Sequence, residues 1–284
     1  MDCMVHASVT RPIDVLHLGR DRVICAYEID GVIVDPGPAS CVDTLIDRLG
    51  RVEPRALLLT HIHLDHAGAT GVLCRRYPKL RVYVHEVGAP HLIDPSKLLK
   101  SAGRLYGDDM WELWGEVAPV PEERITTLSG GETVEGFRVA YTPGHATHHV
   151  SYLHEESGDA FVGDVAGVRI PPYAYTIAPT PPPDIDVEAW LDSLHTVACW
   201  SAQSLGLTHF GQVTEVTDHL HRMRIALLEQ AERARMKDEE TFIARMEEEL
   251  LDASDLATVE CFEQAAPPNQ LYMGLERYWR KKAP

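Results

Sequence analysis

The chain is expected to fold as an α/β protein whose site residues stand at the ends of buried strands. Two observations lead there. Short apolar runs bounded by Gly, Pro or Asp recur along the sequence and read as buried strands. Five of these runs are followed within one to four residues by a histidine or carboxylate: Asp35 after 31–34, His61 after 56–59, His145 after 139–141, Asp164 after 160–162 and His209 after 205–207.

Taken in order, runs 15–18, 23–27 and 32–34 read as three successive strands opening a sheet. A helix over 39–49 leads into a strand at 56–59, which carries Thr60-His61-Ile62-His63-Leu64-Asp65-His66. Helical spacing begins near His66, with Val72, Leu73 and Tyr77 as its apolar positions. A strand at 82–85 follows, then helices over 86–92 and 95–114, the second carrying Leu98, Leu99, Leu105, Trp111 and Trp114. A second strand-rich series runs from 125 to 165, so both halves read β-rich, then α.

Segment 171–183 is too rich in proline for a central strand or a helix, because each proline removes a donor and blocks helical φ/ψ. It follows Asp164 closely and is expected to pass near the site. Tyr173 and Tyr175 on it are pocket candidates, able to donate to a developing oxyanion. Tyr106, Trp111, Trp114 and Phe210 are the other aromatic candidates. Beyond 213 the pattern is helical to about 255, with Leu220, Met223, Leu227, Phe242 and Met246 at helical spacing. The expected division is a catalytic domain over 1–212 and a helical appendage over 213–284, which covers part of the cleft or makes a subunit contact, as in a homodimer.

Composition narrows the partners. The 284 residues carry 43 acids against 26 bases, a net charge of −17, and the longest basic run is Arg280-Lys281-Lys282. Gripping a polyanion needs clustered Lys and Arg, so the composition argues against nucleic acid and a small-molecule substrate is expected. No stretch approaches 18 uninterrupted apolar residues, and residues 1–6 lack a basic start and apolar run. A cytoplasmic protein with no membrane attachment is the expectation. The cysteines Cys3, Cys25, Cys41, Cys74, Cys199 and Cys261 show no CxxC spacing, which points to neither disulfides nor a thiolate metal site.

The spacing of the densest motif has a physical meaning. Residues two apart in extended chain project to one side, so His61 and His63 can converge on one cation. The turn into the following helix swings Asp65 and His66 toward a second. His145 completes three imidazoles for the first ion, His209 joins the second, and Asp164 is left to bridge ions about 3.5–4 Å apart.

This pattern resembles the metallo-β-lactamase superfamily, and within it the branch of the glyoxalase II type hydrolases. The resemblance covers roughly residues 12 to 211, through Asp35-Pro36-Gly37, the HxHxDH motif at His61 to His66, Thr142-Pro143-Gly144-His145, Gly163-Asp164 and His209. It implies an αββα sandwich, with His61, His63 and His145 on one metal and Asp65, His66 and His209 on another. Asp164 would lie between the metals and Asp35 behind them. Many members continue the third element as Thr-Pro-Gly-His-Thr-x-Gly-His, whereas this chain has Ala146-Thr147-His148-His149, so His148 replaces a glycine. The C-terminal third also lacks the basic and tyrosine pattern of glutathione-thioester recognition.

The expected chemistry is hydrolysis by a metal-bound hydroxide at a dinuclear centre, with Asp65 and Asp164 at the reacting atoms. Two divalent cations, zinc first and iron or manganese next, would lower the pKa of water toward about 7. An ester, thioester, lactone or phosphodiester of a small molecule fits. The competing expectation is a mononuclear iron oxidoreductase of the persulfide dioxygenase type, with His61, His145 and Asp164 on one Fe(II).

Overall fold

The computed structural model describes residues 8–283, over which the apolar runs form two six-stranded sheets. The first holds β1 (Arg11–Asp14), β2 (Cys25–Ile29), β3 (Val32–Val34), β4 (Ala56–Leu58), β5 (Arg81–His85) and β6 (Ile125–Leu128), in that spatial order. The second holds β7 (Thr133–Val134), β8 (Phe137–Tyr141), β9 (Val150–His154), β10 (Asp159–Phe161), β11 (Ser204–Leu207) and β12 (Gly211–Val213), again side by side in chain order. β3, β4, β5 and β6 run parallel, as do β10 and β11; the other neighbours are antiparallel.

Strands β2, β3, β4, β9 and β11 are buried along their whole length, as strands covered on both faces must be. Period-2 alternation splits their side chains. Tyr27, Val34 and Leu58 meet Phe137, Val139, Tyr152 and Phe161 between the sheets. The neighbours Ala26, Ile33 and Leu57 join an outer core with Leu45 and Leu49 of α1 (Val42–Leu49) and Leu73 of α3 (Thr70–Arg76), which follows the short α2 (Leu64–Ala67). On the second sheet, Leu205 and Leu207 share that core with Trp190 and Leu194, whose helix follows the proline segment. The result is the αββα sandwich.

The remaining helices are α4 (Ala89–Ile93), α5 (Ser96–Tyr106), α6 (Met110–Trp114), α7 (Val187–Ala198), α8 (Val216–Met236), α9 (Glu239–Ala253), α10 (Leu256–Ala265) and α11 (Pro268–Lys282). None is long and apolar enough to cross a membrane.

Several expectations change in detail. Residues 15–18 form no strand: β1 ends at Asp14, and Leu16 (φ 53°) and Leu18 (φ 54°) turn the backbone left-handed. The helix over 95–114 breaks at Gly107, whose φ of 54° suits glycine. β6, expected to open the second series, pairs in parallel with β5 and closes the first sheet. Cys25, Cys41, Cys74 and Cys261 are buried free thiols and Cys199 is an exposed one, while Cys3 and the N-terminal residues 1–6 lie outside the described residues.

The sheets are stitched together at the end that carries the polar residues. Val150 N donates to Thr60 O and Cys25 N to Thr208 O, each at 2.8 Å. Tyr152 and Tyr27 donate their hydroxyls to Leu59 O (2.8 Å) and Leu207 O (2.6 Å). These bonds hold the loops after β4 and β11 against the opposite sheet.

Candidate metal centre

The polar residues at the strand ends converge. His63 Nδ1 lies 3.0 Å from both His61 Nε2 and His145 Nε2. Two imidazole nitrogens sharing a tetrahedral zinc at roughly 2.0–2.1 Å would stand about 3.3 Å apart. A second set joins Asp65, His66 and His209: Asp65 Oδ2 is 3.3 Å from His209 Nε2 and 3.8 Å from His66 Nε2. Asp164 stands between the sets, with Oδ2 3.4 Å from His145 Nε2, and Oδ1 3.2 Å from His66 Nε2 and 3.8 Å from His209 Nε2.

The outer nitrogen of each ring fixes what the inner one presents. His145 Nδ1 donates to the Pro179 carbonyl at 2.8 Å and His209 Nδ1 to the Val23 carbonyl at 2.7 Å. A carbonyl only accepts, so in the neutral rings both Nε2 atoms are bare and face the cluster. His66 Nδ1 donates to Asp35 Oδ2 at 2.8 Å. His61 Nδ1 meets Thr60 Oγ1 at 3.1 Å, and Thr60 in turn donates to Asp35 Oδ2 at 2.6 Å, which leaves His61 Nε2 bare as well. His61 and His145 thus aim two lone pairs at one His63 nitrogen, and a single N–H there cannot satisfy both. His66 Nε2 and Asp164 Oδ1 are buried without a hydrogen-bonding partner of good geometry. The donor set therefore fits cations better than it fits itself.

Electrostatics agree. Burial, reinforced by the neighbouring imidazoles, holds His61 well below the usual histidine range. Burial also pulls on His66, but the carboxylates of Asp164, Asp65 and Asp35 outweigh it and hold that ring well above its ordinary value. Burial would raise Asp65 and Asp164, yet the surrounding histidines keep both carboxyls well below the usual range. The first donor set thus pairs neutral imidazoles with the ionised Asp164, the form in which both residue types bind metal, whereas His66, and His209 beside the same carboxylates, would release a proton as a metal binds.

Local backbone explains how the sequence places these groups. Asp35 adopts a left-handed φ of 47°, a region open mainly to Gly, Asn and Asp, and its carboxylate also accepts from Thr60 N (2.8 Å) and Thr208 Oγ1 (3.1 Å). Gly144 sits at φ 132°, where a Cβ would lie 2.4 Å from Trp190 Cα, so only glycine can precede His145. At Gly163 a Cβ would meet Thr60 Oγ1 at 2.5 Å and His149 Nε2 at 2.9 Å. His149 is buried beneath the cluster, its Nδ1 2.9 Å from Thr142 Oγ1 and its Nε2 receiving the Asp164 backbone N–H at 3.4 Å.

All seven residues expected as ligands thus meet in one place, and Asp35 stands behind them. The aromatic candidates divide. Tyr106 and Trp114 line the cavity beside the cluster. Trp111 is 73% exposed, and Phe210 packs toward the inter-sheet core. Tyr173 and Tyr175 face away from the cluster and bond Asp255 and Glu249, each at 3.1 Å. The proline segment does reach the site, through the Pro179 carbonyl rather than through a side chain. Thr60 and Thr208, along with the carbonyls of Pro179 and Val23, are contributors that sequence reasoning missed, although Thr60 opens the motif; His149 stands at a frequent family position but is given no role by the sequence.

The sequence profile of the metallo-beta-lactamase superfamily matches residues 26–198. The metallo-beta-lactamase fold-containing protein ST1585 of Sulfurisphaera tokodaii is 27% identical over 230 residues, covering 77% of this chain and 84% of that protein. Its crystal structure, described as that of an archaeal metallo-beta-lactamase superfamily protein, superposes with a TM-score of 0.70 at 25% identity, over 94% of this chain and 97% of that one. A hydroxyacylglutathione hydrolase of Synechococcus sp. is 33% identical over 136 residues, which span 46% of this chain and only 42% of that protein. By the profile match and the shared architecture together, this chain belongs to the metallo-β-lactamase superfamily and is a metal-dependent hydrolase.

Proposed function

We propose that the chain is a dinuclear metallohydrolase that cleaves an ester, thioester, lactone or phosphodiester bond of a small molecule, with zinc as the favoured metal. The observation that carries this reading is the placement of Asp164, whose two oxygens face two different donor sets. His61, His63 and His145 would hold one ion, and Asp65, His66 and His209 the other. The mixed imidazole and carboxylate donors suit zinc, and also iron or manganese. Partial relatives named hydroxyacylglutathione hydrolase favour a carboxylic ester or thioester within that range.

Two divalent ions held there would polarise the scissile carbonyl and bring the pKa of water to about 7. The protein's own groups do the rest. Asp65 keeps Oδ1 clear of hydrogen bonds among the described residues, and its side chain is 23% exposed, so it can accept a hydrogen bond from an attacking water and orient it. His145 and His209 are held rigid by the Pro179 and Val23 carbonyls, so the donors need no reorganisation during the reaction. Tyr106 lines the cavity together with Asp65 and its hydroxyl has no protein partner among the described residues, so it is free to donate to an oxyanion. The net charge of −17 favours a small-molecule substrate over nucleic acid, and we place the enzyme in the cytoplasm.

The test is metal analysis of protein purified without added metal, followed by chromogenic esters, thioesters, lactones and phosphodiesters. Two ions per chain and hydrolysis of at least one class are expected. A single iron with oxygen uptake and no hydrolysis would overturn the reading.

A further inference from the structure

A cavity of about 320 Å³ opens beside the cluster, within the size range of small-molecule sites. Its lining runs from the metal donors, past Tyr106 and Trp114, to the junction of α10 and α11. Around that junction Ala265, Ala266 and Leu271 offer apolar surface, and Gln264 and Gln270 offer amides. No lysine or arginine lines it among the described residues, and residues 1–7 contain neither type. Lys97 lines a separate recess, which shares Leu105 and Tyr106 with the cavity.

The histidine that lines the cavity outside the cluster supplies no charge either. His17 Nε2 donates to the Leu113 carbonyl at 2.9 Å, and its Nδ1 faces the Gln264 Nε2 donor at 2.9 Å. A second proton on Nδ1 would point at that amide N–H, so the ring is held neutral by its partners. It stacks on Trp114 at 5.4 Å between centroids, which makes it part of an aromatic wall. Positive charge is therefore confined to the metal end of the cavity. The nearest charged side chain elsewhere in the lining is the carboxylate of Asp109.

We propose that this chamber receives the acyl group of the substrate and selects an uncharged, largely apolar one, with α10 and α11 forming the selective wall. The proposal rests on the hydrolase reading above. A carboxylate carried to the α10–α11 end would be taken from water into a cavity whose lining offers it no cationic side chain and holds the acid Asp109. Acyl groups that end in a carboxylate are excluded on that ground, whereas alkyl and aryl acyl groups gain burial.

The experiment uses the metal-loaded full chain and two thioesters of the same uncharged thiol, one hexanoyl and one adipoyl, which differ by a terminal carboxylate. The hexanoyl thioester is expected to have the higher kcat/KM by at least about 100-fold. Gln270 makes no side-chain hydrogen bond among the described residues, so Gln270→Lys can place a cation in the chamber. It should narrow the gap by about 10-fold or more by raising turnover of the adipoyl substrate. Ala265→Trp, which narrows the same end, should slow hexanoyl hydrolysis about 10-fold more than acetyl hydrolysis. Equal use of the two thioesters, or a gap unmoved by Gln270→Lys, would overturn the chamber assignment while leaving the hydrolase reading intact. Two bound metals with no hydrolysis of any ester, thioester, lactone or phosphodiester would overturn both.

Discussion

Thr60 donates its hydroxyl to Asp35 at 2.6 Å, and the same oxygen lies 3.1 Å from His61 Nδ1, so one threonine links a buried carboxylate to an imidazole of the metal cluster. Asp35 meanwhile holds His66 directly, at 2.8 Å. One carboxylate therefore orients a histidine of each donor set.

Asp35→Asn and Thr60→Val are accordingly expected to weaken metal binding without removing a ligand. Losing such an outer partner typically costs 10–100-fold in metal affinity, so a loss of about that size is expected for Asp35→Asn and a smaller one for Thr60→Val. Competition with a chromogenic chelator measures both. Unchanged affinity in Asp35→Asn would show that the carboxylate is only structural.

Asp164→Ala should abolish hydrolysis and lower the metal content to one ion per chain or fewer, because its carboxylate is the one proposed to serve both ions, with an oxygen facing each donor set. Metal analysis after gel filtration checks it. A variant that kept two ions and full turnover would refute the bridging role.

Among the tyrosines, Tyr106→Phe should lower kcat and kcat/KM together by roughly 10–100-fold, the pattern of a donor used in the transition state. Tyr173→Phe and Tyr175→Phe should leave kinetics unchanged, since their hydroxyls bond Asp255 and Glu249. Steady-state kinetics on one accepted substrate separates the three.

A pH effect is expected far from the substrate. Burial, helped by Arg169 and Arg222 and opposed by a hydrogen bond to the Ala166 carbonyl, pulls His219 from 6.5 down to about 4. Between these values the unfolded chain binds the proton and the folded one does not, so stability rises with pH across this window. It is lost on acidification from about 6.5 to 4, by on the order of 3 kcal/mol for this group. His219→Gln should flatten that part of the profile in urea melts at pH 7 and pH 4.5. An identical slope would assign the acid sensitivity to other groups.

The convergence of the seven polar residues was legible because each is a side chain at or just after a strand end, and strand ends announce themselves as apolar runs that stop. The carbonyls of Pro179 and Val23 were not, since a backbone oxygen has no letter of its own and its direction depends on how distant segments pack. Tyr173 and Tyr175 were misplaced for a related reason. Their segment does approach the metals, but α9 and α10 supply Glu249 and Asp255 on its far side, and those acids draw the hydroxyls away. Residues 15–18 read as a strand on apolar content, which carries no sign of the left-handed turns at Leu16 and Leu18.

The Pro179 carbonyl has a thermodynamic consequence. Its segment is clamped by Gln230 of α8, which accepts from Ala178 N at 2.8 Å and donates to Ala178 O at 3.1 Å. On its other side Thr180 donates to Leu271 O of α11 at 3.0 Å, and Gly274 comes so close that a Cβ would fall 1.9 Å from Thr180 O. His145 therefore keeps its orientation only while α8 and α11 stay docked. Linkage makes the dependence mutual: whatever free energy the docked helices lend to metal affinity, a bound metal returns to helix docking in equal measure. A metal bound at the centre would thus act as a brake on local unfolding of the C-terminal helices, and without it the last seventy or so residues would exchange and be cleaved more readily.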